Sequence, residues 1–258
     1  MITPGHVVIT GAAGAIGSAL ARAMRTAWPG VELALVDRDA AALQALRTEL
    51  GGSTTAYTFD LRALAEIDAL VTQIERKAPI DGLVNCAGIM HVQQLATWKW
   101  QDAQALLAVD LLAPLELQQR LVPGMIERGA GVIVNIASMA GRVPLKGGTY
   151  YCASKAGLAM ASEIARSELA THGVRVVTVY PGPVKSALEQ GARDAYGGGG
   201  VLGRFVPTGE PSELARRIMS AIDRDEPRVI YPSLYGVGWT APNLSGWLSL
   251  SYGPPPIS

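Results

Sequence analysis

Tyr151, Lys155 and Ser138 are the residues of this chain whose types and spacing could do chemistry. Residues four apart share one face of a helix, so the ammonium of Lys155 lies beside the phenol of Tyr151. A nearby positive charge favours the phenolate and lowers the pKa of a tyrosine from its reference value of about 10. Such a tyrosine can exchange a proton with an alcohol or carbonyl oxygen, to which Ser138 could donate a second hydrogen bond. Because exposed helix faces often match this pattern, the pair is informative only together with the rest of the chain.

The elements that must position these residues alternate between strands and helices. Short apolar, β-branched runs predict strands at His6–Thr10, Val31–Val36, Thr55–Phe59, Gly82–Asn85, Gly131–Ile136, Val174–Val179 and Arg228–Tyr231. Helical patterns occupy Gly17–Trp28, Ala40–Leu50, Leu64–Arg76, Trp100–Arg128, Tyr151–Thr171 and Ser212–Asp223. Strict alternation predicts an α/β fold of the Rossmann type, a doubly wound parallel sheet in three αβα layers that forms a single domain over residues 1–258.

Two segments interrupt this alternation. A variable loop is expected at about 187–208, where the glycine-rich stretch Gly191–Gly203 is too permissive to be a core element and is either a mobile lid, which is the favoured interpretation, or an ordinary long loop. The tail at about 233–258 is rich in Pro, Gly, Ser, Trp and Tyr. Its aromatic residues Trp239, Trp247 and Tyr252 indicate packing, against either its own domain, a second subunit or a membrane surface.

Composition excludes several classes of function. The 258 residues carry 22 basic and 22 acidic side chains, and this balance argues against nucleic-acid binding. No apolar run is long enough to be an integral membrane segment, and the N-terminus does not resemble a signal peptide. The two cysteines are interpreted as free thiols in a cytoplasmic protein, and no grouping of Cys and His suggests a metal.

A glycine-rich turn follows the first predicted strand and opens a helix, with the sequence Thr10-Gly11-Ala12-Ala13-Gly14-Ala15-Ile16-Gly17. Such a turn lets the backbone approach a pyrophosphate at a helix N-terminus. Asp37 ends the second strand twenty residues after Gly17, as the dinucleotide fingerprint requires. Its carboxylate can accept hydrogen bonds from ribose hydroxyls and would repel a 2′-phosphate, which favours NAD. Arg38 could compensate a phosphate, so NADP stays possible.

These motifs, with Asn85-Cys86-Ala87-Gly88 and Pro181-Gly182-Pro183-Val184-Lys185-Ser186, resemble those of the classical short-chain dehydrogenase/reductase family from residue 6 to about 232. The resemblance implies hydride transfer between a nicotinamide and an alcohol or ketone, with Ser138, Tyr151 and Lys155 as catalytic residues. It implies that the cofactor is bound by Gly11, Ala13, Gly14, Ala15, Ile16, Asp37, Arg38, Asp60, Leu61, Asn85, Ala87, Gly88, Tyr151, Lys155, Pro181, Gly182, Val184 and Ser186.

The chain departs from the family pattern at two places. Ala15 stands where the second glycine of the turn is usual, and Gly14 precedes it. Asp110 replaces the usual asparagine, whose backbone carbonyl is thought to hold a water in the proton relay to the lysine. Asp110 is therefore counted with the catalytic residues. A backbone role would survive the change, whereas a carboxylate near Lys155 could alter the pKa values of the relay; a simple packing variant is the favoured reading.

The substrate is expected to be a small alcohol or ketone of hydrophobic character. Its contacts are expected from Ser138, Met90, Val143, Leu145, Tyr151 and Leu188, with His91 and Tyr196 nearby. Two alternatives stay open, a 3-oxoacyl-thioester reductase using NADPH and a protein that binds a dinucleotide without turnover. The resemblance also implies a homodimer or homotetramer, formed through the two long helices.

Overall fold

A seven-stranded parallel sheet forms the centre of this computed structural model, which describes residues 3–197 and 207–256. Its strands are β1 (His6–Thr10), β2 (Glu32–Asp37), β3 (Thr54–Thr58), β4 (Gly82–Asn85), β5 (Gly131–Ile136), β6 (Val174–Pro181) and β7 (Arg228–Tyr231). The strand order is β3-β2-β1-β4-β5-β6-β7. The order reverses between β1 and β4, and ligands of such sheets bind at the carboxyl ends of the strands beside this reversal. The predicted doubly wound Rossmann fold is confirmed.

Helices cover both faces of the sheet. They are α1 (Ala15–Ala27), α2 (Ala40–Leu50), α3 (Ile67–Glu75), α4 (Trp100–Leu107), α5 (Ala113–Arg128), α6 (Thr149–Leu169), α7 (Ala187–Ala195), α8 (Pro211–Arg224), α9 (Gly236–Thr240) and α10 (Pro242–Tyr252). One apolar core joins α1, α2 and α8 to the sheet, and a second joins α3 and α5 to its opposite face. The inner strands β1, β4 and β5 are buried on both faces, which explains why they read as continuous apolar runs.

The single helix predicted over Trp100–Arg128 is interrupted by a π-helical turn at Ala108–Leu112. The N–H of Ala113 bonds to the carbonyl of Ala108, five residues back. Pro114 supplies a physical reason, because it has no N–H to offer the carbonyl of Asp110 four residues earlier. Such turns often occur at functional sites, and this one places Asp110 on the inner side of the helix with no exposed surface.

A buried polar network ties the sheet to α5 and α6. The amide of Asn135 accepts a hydrogen bond from Asn85 (2.8 Å) and donates to Gln118 (3.1 Å) and Ser162 (3.0 Å). Ser162 in turn shares a 2.7 Å hydrogen bond with Thr178. These residues come from β4, β5, β6, α5 and α6, so the network fixes two helices relative to three strands. Sequence reasoning missed it, because single polar residues inside apolar strands carry no periodic signal.

The segment expected as a variable loop is partly helical. The segment placed in a variable loop at about 187–208 begins with α7, which Ser186 caps by accepting from the N–H of Glu189 (3.1 Å). Within the stretch Gly191–Gly203, expected to be a lid or a long loop, Gly191–Ala195 are helical, and residues 198–203 fall outside the described residues. The lid stays a prediction.

The tail is also helical, in α9 and α10, and part of it packs on its own domain. The ring of Trp239 meets that of Tyr180 edge to face, with centroids 4.6 Å apart. Trp247 and Tyr252 contact each other and are 55% and 72% exposed, so they pack on no core. Over the described ranges 3–197 and 207–256, no helix has the length and apolar character needed to cross a membrane.

We predict that Asn135→Ala lowers the free energy of unfolding by roughly 2–4 kcal/mol, because it removes the hydrogen bond that the side-chain oxygen of Gln118 accepts and leaves the side-chain N–H of Asn85 with only a longer bond to the carbonyl of Pro114 (3.4 Å). Urea denaturation followed by circular dichroism measures the change. Asn243→Ala, on the exposed face of α10, is the control and should change stability by less than about 0.5 kcal/mol. Equal stability of the two variants would contradict a structural role for the network.

Candidate active site

Tyr151 and Lys155 lie one turn apart on α6, and Ser138 faces them from the end of β5. Tyr151, Lys155 and Ser138 are 8%, 4% and 8% exposed. The Nζ of Lys155 lies 5.9 Å from the centre of the Tyr151 ring and donates to the carbonyl of Ile136 (3.2 Å). Ser138 caps a short 3₁₀ turn, its Oγ accepting from the N–H of Ala140 (3.1 Å). The sequence-predicted trio is therefore assembled at the carboxyl edge of the sheet.

The expected lowering of the Tyr151 pKa is wrong for this arrangement. Burial raises the pKa of Tyr151, and the charge of Lys155 together with a hydrogen bond to Ser138 offsets only part of that rise. The carboxylate of Asp110 adds a further upward shift. The spacing of four residues shows that the charge of Lys155 lies near Tyr151. The effect of burial on the pKa of Tyr151 depends instead on elements that come from the whole fold. The phenol of Tyr151 thus keeps its proton to higher pH than a free tyrosine.

Asp110 lies directly against Lys155. One carboxylate oxygen is 3.3 Å from Nζ, and the other accepts a hydrogen bond from the N–H of Ile89 (2.8 Å). Burial raises the pKa of Asp110, although Lys155 opposes the rise. Burial would lower the pKa of Lys155, but the carboxylate of Asp110 reverses this and the net shift is upward. The reading of Asp110 as a simple packing variant does not account for this buried ion pair.

The glycine-rich turn between β1 and α1 is tied to the end of β4. Gly11 has φ of +63°, and a Cβ there would lie 2.6 Å from the Cα of Ala87. The chain then enters α1 through Ala13, Gly14, Ala15 and Ile16. That helix has no side-chain cap and no acidic residue in its first turn. Its first N–H groups therefore remain available for an anion, which is what a pyrophosphate requires.

Asp37 borders this turn from the end of β2. Its two carboxylate oxygens accept hydrogen bonds from the N–H of Ala13 (3.0 Å) and of Asp39 (3.1 Å). Each oxygen has a further lone pair, so these bonds leave acceptor capacity for a ribose hydroxyl. The carboxylate is thereby held at the predicted position beside the phosphate-binding turn.

The neighbouring predicted contacts are less direct. Arg38 is exposed, and its charge helps to lower the pKa of Asp60, although the main cause is the hydrogen bond from Arg62. Asp60 accepts from the guanidinium of Arg62 (2.8 Å). Leu61 is 6% exposed and packs in the core, so only its backbone could meet a cofactor.

The Asn85-Cys86-Ala87-Gly88 segment follows β4 and faces the turn. The side chain of Asn85 points into the Asn135 network, which leaves only its backbone for cofactor binding. Thr10 was not among the predicted site residues, yet its hydroxyl accepts from the N–H groups of Cys86 (3.1 Å) and Ala87 (3.3 Å). Its place directly before Gly11 was the available signal.

The Pro181–Ser186 segment leaves β6 next to Ser138. The N–H of Gly182 donates to the carbonyl of Tyr231 (2.8 Å). The hydroxyl of Ser186 caps α7 and donates to the carbonyl of Val184 (3.1 Å). The hydroxyl of Ser186, a predicted cofactor contact, is therefore already engaged within its own segment. The predicted contacts Pro181 and Val184 belong to the same segment.

The predicted substrate residues separate into two groups. Met90 and Leu145 pack with Tyr151 in one apolar cluster, which also includes Tyr150 and Trp98. Sequence reasoning missed Trp98, whose indole N–H is buried without a partner and whose ring lies 4.9 Å from that of Tyr150.

The remaining predicted pocket residues lie away from this cluster. Val143 packs with Met139, Tyr180 and Trp239 in a separate cluster. Leu188 is exposed on α7, and His91 is exposed and contacts Trp98 edge to face at 6.1 Å. The hydroxyl of Tyr196 donates to the carbonyl of Lys146 (2.5 Å). The described part of the chain contains no group of three or more His, Cys, Asp or Glu that could hold a metal.

Known proteins resemble this chain over the part that contains the glycine-rich turn and the three candidate catalytic residues. The sequence profile described as short chain dehydrogenase matches residues 5–197, which include the glycine-rich turn and the Ser138, Tyr151 and Lys155 positions. The chain belongs to the short-chain dehydrogenase/reductase family.

Among curated relatives, a D-threitol dehydrogenase of Mycolicibacterium smegmatis is 35% identical over 215 residues, which cover 81% of this chain and 82% of that protein. The ketoacyl reductase HetN of a Nostoc species is 37% identical over 187 residues, which cover 71% of this chain and 64% of HetN. A short-chain dehydrogenase from Sphingobium yanoikuyae in complex with NADPH has a similar structure, with a TM-score of 0.78, 28% identity and coverage of 96% and 95%. The protein is thus an NAD(P)-dependent oxidoreductase of an alcohol or carbonyl group.

Proposed function

We propose that this protein interconverts an apolar secondary alcohol and its ketone, with NAD(H) as the preferred coenzyme and Tyr151 as general acid and base. The observation that carries the proposal is the meeting of three buried side chains, Ser138, Tyr151 and Lys155, at the carboxyl edge of the sheet next to the glycine-rich turn. A proton donor there lies beside the place where coenzymes of this fold bind.

Each side chain has a separate task in this proposal. Tyr151 gives a proton to the carbonyl oxygen in reduction and takes one from the hydroxyl in oxidation. The Oγ of Ser138 is held by the N–H of Ala140, and its O–H would turn from the carbonyl of Pro181 (3.5 Å) to the same substrate oxygen and stabilise charge that develops on it. Lys155 supplies a positive charge that favours the phenolate, and it can also donate to ribose hydroxyls.

The coenzyme would be held by the groups that already face the turn. The N–H groups at the start of α1 would receive the pyrophosphate, and the carboxylate of Asp37 would receive the adenosine ribose. When bound, the nicotinamide ring accepts or supplies the hydride. Asp37 supports NAD over NADP, because a 2′-phosphate beside a fixed carboxylate meets like charge.

The apolar wall next to Tyr151 supports a hydrophobic substrate. Met90, Leu145, Trp98 and Tyr150 cluster around the phenol, and Cys152 fills a gap in the same cluster. Since burial raises the pKa of the Cys152 thiol, it stays protonated near neutral pH and acts as an apolar neighbour.

A second candidate is a 3-oxoacyl-thioester reductase that uses NADPH. The similarity to HetN, named a ketoacyl reductase, and the NADPH held by the Sphingobium yanoikuyae neighbour favour it. Asp37 argues against its coenzyme, and the balanced charge of the chain offers no basic excess for an acidic carrier protein. Dinucleotide binding without turnover is the third reading, and the buried trio argues against it.

We expect turnover of apolar secondary alcohols with NAD to fall by at least about a thousandfold in Tyr151→Phe, because the variant lacks the proton donor. The measurement follows nicotinamide absorbance with NAD and NADP separately, over a panel of acyclic, cyclic and acyl-thioester substrates. Tyr150→Phe is the matched control and should retain activity, since its neighbour four residues on is Ser154 rather than a cation. Tight dinucleotide binding without turnover in the wild type would instead support the third reading.

Asp37→Asn should raise kcat/KM with NADP relative to NAD by roughly tenfold or more, because it removes a negative charge while keeping an acceptor for the N–H of Ala13. Initial rates with both coenzymes in parallel measure the ratio. Asp223→Asn, an exposed acid at the end of α8, controls for the change in net charge. An unchanged ratio would remove Asp37 as the source of coenzyme preference.

We also propose that the protein is located in the cytoplasm and that it forms a homodimer or a homotetramer. Leu112, Met160 and Ile164 are 45%, 64% and 49% exposed on the π turn and α6, and such apolar side chains suit a contact between copies. Both cysteines are free thiols, as expected in a reducing compartment. Light scattering of protein purified from the soluble cell fraction should give a dimer or tetramer mass, and a monomer would contradict the assembly.

A further inference from the structure

The pair formed by Asp110 and Lys155 is enclosed by three elements. Asp110 comes from the π turn, Lys155 from α6, and Gly88 from the loop that follows β4. A Cβ on Gly88 would lie 3.4 Å from the Nζ of Lys155 and 3.6 Å from the Oδ2 of Asp110. These distances are those of ordinary van der Waals contact, so Gly88 lies directly against both charged groups. Their side chains are 0% and 5% exposed, so water contributes little screening.

A carboxylate is not needed for packing at this position. An asparagine of the same shape would also accept the hydrogen bond from the N–H of Ile89, without the cost of a buried charge. Removing a charge from water is compensated only where a partner of opposite sign lies in good geometry. Lys155 is the partner of opposite sign, with its Nζ 3.3 Å from Oδ2 of Asp110, at ion-pair distance rather than in a hydrogen bond. The family pattern has an asparagine at this position, and its side chain has the same shape as that of Asp110. The feature that distinguishes Asp110 is therefore its negative charge.

The charged groups around this pair act on one another. Lys155 and, more weakly, His91 lower the pKa of Asp110 against the dominant effect of burial. Burial lowers the pKa of Lys155, whereas Asp110, Tyr151 and the Cys86 thiol raise it.

Tyr151 receives opposite influences from its two charged neighbours. Burial raises its pKa most, Lys155 lowers it, Asp110 raises it, Ser138 lowers it through a hydrogen bond, and Cys152 raises it. Asp110 therefore cancels part of the charge by which Lys155 would favour the phenolate.

We propose that Asp110 is a positioning residue that holds Lys155 by a buried ion pair and shifts the working range of Tyr151 toward alkaline pH. Only the kinetic consequence of this proposal rests on the function proposed above. In alcohol oxidation the phenolate must be present to take the hydroxyl proton, so the rate rises as pH passes the Tyr151 pKa. A carboxylate beside Lys155 moves this rise to higher pH. In ketone reduction the phenol is the active form, and activity extends further into the alkaline range.

Asp110→Asn tests this with the shape of the side chain preserved. The alkaline rise of kcat/KM for alcohol oxidation should move to lower pH by about one unit, because the charge that opposes Lys155 is gone. Asp102→Asn, an exposed acid two turns earlier on α4, is the control for charge and should leave the profile where it is in the wild type. A purely structural role would change the height of the profile but not the position of its limb. An unmoved limb in Asp110→Asn would overturn the proposal.

A second measurement needs no substrate and therefore separates this proposal from the one on function. The phenolate of Tyr151 is titrated by ultraviolet difference spectroscopy, taking the difference between each protein and the same protein carrying Tyr151→Phe. The midpoint should lie about one pH unit lower in Asp110→Asn than in the wild type. An equal midpoint would assign Asp110 to packing alone. A higher midpoint would show that Lys155 loses its proton without Asp110, and would overturn the proposal too.

Discussion

The buried amide of Asn135 is the constraint on which the geometry of the site depends. It lies in β5, between β4 and β6, and bonds simultaneously to Asn85, Gln118 and Ser162. Apolar packing alone would let a helix slide along the sheet, since hydrophobic contacts are not directional. Directional bonds to α5 and α6 fix where those helices sit. The reactive groups on α6 are therefore held relative to the strand ends, at the depth where Ser138 follows β5.

In the site, burial and the charge of a neighbouring group shift the pKa values of Tyr151 and Lys155 in opposite directions. Tyr151 and Lys155 are almost completely buried, so each charged form is costly unless a neighbour compensates it. Asp110 stabilises the ammonium of Lys155, and its own negative charge offsets part of the effect by which that ammonium lowers the pKa of Tyr151. The balance among the three groups, and not the presence of the lysine alone, sets the proton affinity of Tyr151.

The sequence predicted those features that depend on local pattern. The glycine-rich turn, the strands and the shared face of Tyr151 and Lys155 follow from runs and spacings of a few residues, and the structure places them as expected. The raised pKa of Tyr151 could not be predicted, because burial is produced by segments far apart in the chain. The helix α7 was missed since nearby glycines masked it, and only Ser186 at its start signalled a cap.

The absent N–H of Pro114 has a consequence beyond its own turn. One extra residue in a helical turn rotates everything on its N-terminal side by roughly 100° about the axis. A regular helix through the same sequence would carry the carboxylate of Asp110 around that arc, away from Lys155. The rotational phase of the helix thus determines which side chain faces the lysine, and that phase follows from a proline four residues after Asp110. A change in side-chain chemistry and a change in helical phase are two independent ways for related chains to alter the same site.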